Sequence, residues 1–275
     1  MPKLVCPDFK LDRGLTETQL TFFEQNGFII FRSFVNREKV DLFICEMKRI
    51  QKQWLAEGRQ KVNGIPIKFG EDENGERMIH RFCFLSNFSQ PLHDLLLDPC
   101  FNSLTGLLKD EEGRIAENEK DGMVGNHYVR AVKSEFTKMG WHTDSLKDIF
   151  YGQRIKPMLN VGIHLDDCPF ENGGLRFLPG SHKQGLFNLL FSKKYFIDNN
   201  PDSREVGMDI HAGDVTVHDG RIWHRVQQSP YTGEKSRRRV LYIPIITGKQ
   251  IQKSEQSKTP LYLRLFTTKA LRRSF

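Results

Sequence analysis

The rhythm of hydrophobic and polar positions changes near residue 124. Ahead of that point the pattern is mostly helical. Leu15-Thr16-Glu17-Thr18-Gln19-Leu20 opens a helix. Thr16 can cap it, with Gln19 three positions on as the reciprocal partner. Leu20, Phe22 and Phe23 begin its apolar face, and Asn26-Gly27 ends it. Phe28-Ile29-Ile30-Phe31 is a short aromatic and β-branched run, which predicts a buried strand. Asn36 to Ala56 predicts a long amphipathic helix with Val40, Phe43, Ile44, Met47 and Ile50 turned to the core. Residues 58–81 are polar, with glycines at 58, 64, 70 and 75, and predict a long loop or loose hairpin of the kind that covers a site. Leu92 to Leu108 returns to helix, and residues 111–121 form a charged, solvated excursion.

Beyond residue 124, short strands alternate with turn signals: 124–133, 158–165, 174–178, 206–210, 214–217, 222–227 and 238–246. A helical front and an all-β rear predict a β-barrel or double sheet with helices packed on one side. The expected organisation is one domain: an arm over 1–14, mainly helical support and a substrate loop over 15–123, the β core over 124–246, and an extension over 247–275. A chain of 275 residues is long enough for that core.

Composition narrows the function classes. The hydrophobic fraction is 38%, ordinary for a globular chain. No stretch has the length of apolar residues that a membrane helix requires, so a membrane is not among the expected partners. The first residues carry no apolar signal core. The five cysteines, Cys6, Cys45, Cys83, Cys100 and Cys168, form no CxxC pair, which fits a reduced, cytoplasmic protein. The net charge is +7, yet the basic residues are dispersed apart from Arg237-Arg238-Arg239 and the stretch Lys269 to Arg273. Without a reader motif this disfavours nucleic acid. It is compatible with a small, acidic substrate.

The chemistry centres on Gly140-Trp141-His142-Thr143-Asp144. On an extended backbone, positions i and i+2 share a face, so His142 and Asp144 converge. An imidazole and a carboxylate are two thirds of a facial site for non-haem Fe(II). Taken alone, His-x-Asp is short enough to be a solvated turn. The β half offers a further ligand in Asp214-Val215-Thr216-Val217-His218-Asp219-Gly220-Arg221-Ile222-Trp223-His224, where His218 and His224 share a strand parity. Next comes Ser236-Arg237-Arg238-Arg239-Val240-Leu241-Tyr242-Ile243, a strand that starts with arginines. An arginine turned into a barrel can clamp a carboxylate with two hydrogen bonds. A metal triad with such an arginine is what 2-oxoglutarate needs as a cosubstrate.

Between these lies Glu171-Asn172-Gly173-Gly174-Leu175-Arg176-Phe177-Leu178-Pro179-Gly180-Ser181-His182, after Leu165-Asp166-Asp167 and before Gly213-Asp214. With the His-x-Asp pair, the distal His and the following arginines in this order, the chain resembles the phytanoyl-CoA dioxygenase family from about Leu15 to Ile246, most strongly over 140–246. The resemblance implies a mainly β fold with flanking α-helices, built as a double-stranded β-helix (jelly-roll, cupin-like) core with an N-terminal helical layer. It implies an enzyme, an Fe(II)- and 2-oxoglutarate-dependent dioxygenase of the hydroxylase type that also uses O2. It implies His142, Asp144 and His224 as the metal ligands and Arg238 as the 2-oxoglutarate anchor. The anchor lies further past the distal His than is usual in the family, and Arg237 or Arg239 could serve instead. Strand alternation allows only one register. Val226 stands where the family often has a hydroxyl residue. Asn160 stands where an aromatic is sometimes found, and its amide is a candidate for cosubstrate binding.

The remaining histidines have local readings: His182 a turn, His164 a strand, His211 and His80 loops. Trp141 and Trp223 read as packing. Residues 58–81, Arg154 and Arg176 are candidates for contact with an acidic substrate. The expected reaction is oxidation, in the first place hydroxylation, of a C–H bond in a small molecule, with release of succinate and CO2. Oxygenation of a protein or nucleic acid, or a cupin-type binding protein without catalysis, are the alternatives. A carboxylate at position 144 favours hydroxylation over halogenation, and leaves desaturation, cyclisation and dealkylation open.

Overall fold

The structure is a computed structural model that describes residues 4–109, 112–131, 138–150, 153–260 and 263. The front of the chain forms α1 (Glu17–Asn26), β1 (Phe28–Phe31), α2 (Arg37–Ala56), β2 (Lys61–Val62), β3 (Ile65–Pro66), β4 (Lys68–Glu71), β5 (Arg77–Arg81), α3 (Gln90–Leu96), α4 (Pro99–Ser103) and β6 (Arg114–Ile115). The rear forms β7 (Val124–Arg130), β8 (Met139–His142), α5 (Leu146–Phe150), β9 (Met158–His164), β10 (Gly174–Phe177), α6 (Leu186–Phe191), β11 (Val215–Asp219), β12 (His224–Gln227) and β13 (Gly233–Ile246).

Two antiparallel sheets make the core. The larger runs β1-β11-β9-β13-β7-β5-β4, with β6 against β13, and the smaller runs β10-β12-β8. Alternation assigns each face of the large sheet a different neighbour. Leu159, Val161, Ile163, Val215, Val217, Leu241 and Ile243 belong to the main core with Val40, Phe43, Met47 and Ile50 of α2. The opposite face joins the small sheet: Tyr128 and Val240 pack with Leu175, Phe177 and Val226. The mainly β jelly-roll with a helical layer expected from the sequence is therefore what forms.

Several local expectations change. The front of the chain does more than support the core. β1 pairs with β11, and β5 pairs with β7, so front strands extend the large sheet at both sides. Residues 4–14 are held as well, because Phe9 bridges to Phe31 and its carbonyl accepts from Arg32 N at 2.8 Å. The helix expected over 92–108 breaks at Asp98-Pro99. The Asp98 carboxylate accepts from the Cys100 amide at 2.8 Å and starts a new helix there. Residues 206–210 make isolated bridges to Phe177 and Cys168 and form no strand. In the excursion before residue 121, Glu119 is buried and paired with Arg114 at 2.5 Å. The capping box at α1 is present in full, and Gly27 closes the helix with φ +78°, a left-handed conformation suited to glycine. All five cysteines are free.

Candidate active site

β8 and β12 bring two histidines together. They pair so that His142 stands directly across from His224. The strand ends at His142, and Asp144, two residues on, brings its carboxylate beside the two imidazoles. One ligand atom from each of His142, Asp144 and His224 lies within 4.8 Å of the other two, and all three residues are buried. The imidazole rings are 4.1 Å apart between centroids, and Phe196 stacks on His142 at 4.6 Å.

The imidazoles are fixed in the tautomer a metal requires. His142 Nδ1 donates to the Gly140 carbonyl at 2.8 Å, and His224 Nδ1 donates to the Ile222 carbonyl at 3.1 Å. Each ring therefore presents a bare Nε2. Burial pushes His142 down to about 4 against the pull of Asp144. Burial, with the neighbouring His142 and His218, holds His224 well below the ordinary imidazole range. For Asp144, burial acts upward. Lys147, the His218 hydrogen bond and the nearby imidazoles outweigh it and keep the carboxyl well below its usual range. Two neutral imidazoles and one carboxylate are thus ready as donors at neutral pH, and the donor set fits a facial Fe(II) site.

Asp144 is itself held at both oxygens. Oδ2 accepts from His218 Nε2 at 3.1 Å and from Asn160 Nδ2 at 2.8 Å. Oδ1 accepts from Lys147 Nζ at 3.0 Å. The inward parity of His218 is observed, with its ring centroid 4.4 Å from that of His224. Asn160 does line the cavity, as a cosubstrate contact would, but its amide is turned to Asp144.

A cavity of about 110 Å³ opens beside the three donors, with walls that include Tyr128, Val226, Tyr242 and Asn160. Tyr128, Val226 and Tyr242 also border a second space of about 30 Å³, and Arg238 lies at that end. The three arginines separate by alternation. Arg238 is buried, donates Nη1 to the Gln227 carbonyl at 3.0 Å, and sits 5.5 Å from the Tyr128 ring centre. Arg239 turns the other way and grips Asp166 through Nε at 2.8 Å and Nη2 at 2.5 Å. Arg237 shares that outward side and pairs with Glu73 and Glu234.

Other candidates fall elsewhere. Arg176 is buried, gives its guanidinium to the carbonyls of Gly173, Leu175 and Phe170, and covers the Phe170 ring, so it is a structural tie and no substrate contact. Arg154 is exposed. His182 Nε2 donates to the Glu24 carbonyl at 3.0 Å, and His164 meets Thr216, in line with their local readings. Lys269 to Arg273 lie outside the described residues. Arg81, at the end of the 58–81 segment expected to meet the substrate, lines the cavity, and lining residues that sequence reasoning missed include Lys120, Asp121, Asn126, Tyr128 and Lys147. Alternation along β7 was the available signal for Asn126 and Tyr128. None existed for the others.

Two facing antiparallel sheets around a buried His/Asp/His cluster define a cupin-like, double-stranded β-helix protein of the non-haem iron kind. The chain belongs to the phytanoyl-CoA dioxygenase (PhyH) family, whose model matches residues 23–238. It is an enzyme that depends on iron and 2-oxoglutarate. Among curated proteins it is similar to a phytanoyl-CoA dioxygenase domain-containing protein 1 homolog of Dictyostelium discoideum, 25% identical over 81% of this chain and 88% of that protein. Among solved structures it is similar to the non-haem α-ketoglutarate-dependent carbocyclase SnoK from nogalamycin biosynthesis, with TM-score 0.63 and 16% identity over 94% of each chain. It is also similar to HygX from Streptomyces hygroscopicus, solved with nickel and 2-oxoglutarate bound, with TM-score 0.59 and 16% identity over 85% of this chain and 87% of that one. Among the described residues no helix is long and apolar enough to cross a membrane.

Proposed function

We propose that this protein oxidises a C–H bond of a small molecule, in the first place by hydroxylation, with His142, Asp144 and His224 holding Fe(II). The observation that carries the reading is the convergence of the three donors within 4.8 Å, with both imidazoles locked through Nδ1. Iron bound with 2-oxoglutarate supplies an oxidant made from O2, at the expense of decarboxylating 2-oxoglutarate to succinate and CO2. The chain's own residues do the rest. Arg238, buried beyond the shared wall of Tyr128, Val226 and Tyr242, takes the distal carboxylate of 2-oxoglutarate. Phe196 stacks on the ring of His142 and shields it from water.

An acidic substrate suits the cavity. Arg81, Lys120 and Lys147 line it, paired with Asp121, Asp148 and Asp144 in turn, and Lys147 is freed once Asp144 holds iron. Burial, more than the nearby Arg81 and Lys147, brings the neighbouring Lys68 down to about 7. A carboxylate or phosphate on the substrate would take the place of Asp144 at Lys147.

The test is anaerobic titration of Fe(II)-loaded protein with 2-oxoglutarate, followed through the visible metal-to-ligand charge-transfer band. The band should form in the wild type, fail in His224→Ala, and need far more 2-oxoglutarate in Arg238→Ala. A wild type that binds no iron would reduce the chain to a binding protein with a vestigial site.

A further inference from the structure

His218 is a fourth histidine in the site, and the metal triad does not use it. Its ring is fully buried. An ionised carboxylate can only accept, so the contact with Asp144 Oδ2 at 3.1 Å puts the proton on His218 Nε2. That nitrogen therefore has no lone pair for a metal, and His218 is no alternative to His224. Its other nitrogen, Nδ1, is buried with no hydrogen-bond partner among the described residues. A buried polar atom without a partner is costly and calls for a reason. Packing alone gives none, since a phenylalanine or leucine would fill the space beside Phe177, 5.4 Å away between centroids, without an orphaned nitrogen. The one polar contact described for the ring is Asp144.

The strand register explains how two residues reach one oxygen. His218 on β11 stands directly across from Asn160 on β9. Both face the site, and both donate to Asp144 Oδ2. Asp144 lies two residues beyond the end of β8 and, among the described residues, has no strand partner of its own to fix it. Its other oxygen meets Lys147, whose side chain is 35% exposed and can swing away.

We infer that His218 and Asn160 form a clamp on Asp144 Oδ2 that positions this carboxylate toward His142 and His224 before the metal arrives. The clamp uses a cross-strand pair on the rigid large sheet to hold a ligand on the smaller, less regular side. Lys147 is the exchangeable partner, neutralising Asp144 in the metal-free protein and released as the metal takes over. His218 and Asn160 are positioning residues, since they act through Asp144. The inference rests on the metal site proposed above.

The experiment titrates Co(II) into the metal-free full-length chain, following the visible bands of the bound ion and the thermal midpoint of each metal-free variant. His218→Leu should weaken Co(II) binding by about 10–100-fold, the usual consequence of losing a partner that orients a ligand. Its bands should shift, while its metal-free thermal midpoint should stay at or above that of the wild type because the orphaned nitrogen is gone. His218→Gln, whose amide can donate in place of Nε2, should restore both affinity and bands. Asn160→Leu removes the other donor and carries the same expectation should His218→Leu fail to fold. Co(II) affinity and bands unchanged in both leucine variants would overturn the clamp and leave the metal site standing. A wild type that binds no Co(II) would overturn the metal site itself.

Discussion

The two faces of the large sheet are built from the same strands and follow opposite rules. On the helix side, β9, β11 and β13 present Leu159, Val161, Ile163, Val215, Val217, Leu241 and Ile243, all aliphatic and almost fully buried. On the other side the intervening positions include Asn160, His164, Thr216, His218, Arg238 and Tyr242, with Val240 the apolar exception. The first face is held by burial of apolar area, which tolerates any close packing of similar volume. The second is held by directed hydrogen bonds around a few atoms, and each loss leaves a buried partner without its match. Damage to the first face should therefore appear in stability, and damage to the second in binding and catalysis.

The largest effect expected from the polar face is at Asp144. Asp144→Ala removes the one anionic donor and orphans Asn160, His218 and Lys147 together. Iron binding should be lost, and succinate formation should fall to background in a coupled assay with the best substrate found. Iron-dependent turnover surviving in this variant would take Asp144 out of the site.

The apolar face supplies the counterpart. Ile163 is fully buried between β9 and α2. Ile163→Ala should cost about 2–5 kcal/mol in urea unfolding, as a cavity in a close-packed core. Affinity for Co(II) and for 2-oxoglutarate should remain near wild type at a temperature where the variant is folded. A large change in metal affinity with intact stability would mean that the two faces are coupled more tightly than alternation implies.

The polar face has a further signature in pH. His142 and His164 are both pushed down to about 4, each by burial outweighing a nearby carboxylate. An unfolded imidazole titrates near 6.5, so between pH 6.5 and about 4 the unfolded chain binds more protons than the native one. The metal-free protein should hold its stability above pH 7 and lose it progressively as pH falls through that window. The slope there should lessen in His164→Gln, which removes one of the groups without touching the triad. A urea midpoint that stays flat from pH 7 to 4.5 would show that these rings are not held neutral.

How much of this was legible in the sequence differs between the faces in the same way. The aliphatic runs identified β1, β9, β11 and β13, because period-2 burial is written locally. The triad was legible because His142 and Asp144 are two apart and a later strand ends in a histidine, and the order of motifs matched a family. What the local pattern could not carry was pairing. That β1, β4 and β5 from the front of the chain join the large sheet depends on pairing with strands remote in sequence, as of Phe28 with His218 and of Arg81 with Asn126. For the same reason Asn160 read as a cosubstrate contact while its amide holds Asp144, and Arg176 read as a candidate substrate contact while it is buried against carbonyls. The break at Asp98-Pro99 was local and readable, but the leucine periodicity on either side outweighed it.

The smallest predicted effects lie in the run Arg237-Arg238-Arg239, where neighbouring residues belong to different faces. Arg238→Ala should raise the 2-oxoglutarate requirement by about 10–100-fold, from the loss of a charge-assisted, two-pronged contact, with little change in Fe(II) affinity. Arg239→Ala breaks the partly buried grip on Asp166 and should cost about 1 kcal/mol of stability without altering the cosubstrate requirement. Arg237→Ala removes only partly exposed pairs with Glu73 and Glu234, and should change stability by less than about 1 kcal/mol. The three variants differ by one position each, so they isolate direction from composition. If 2-oxoglutarate follows Arg237 or Arg239 instead, the register of β13 must shift by one residue. Every aliphatic position from Val240 to Ile245 would then exchange faces, and Leu241→Asp, which should unfold the present arrangement, would be tolerated.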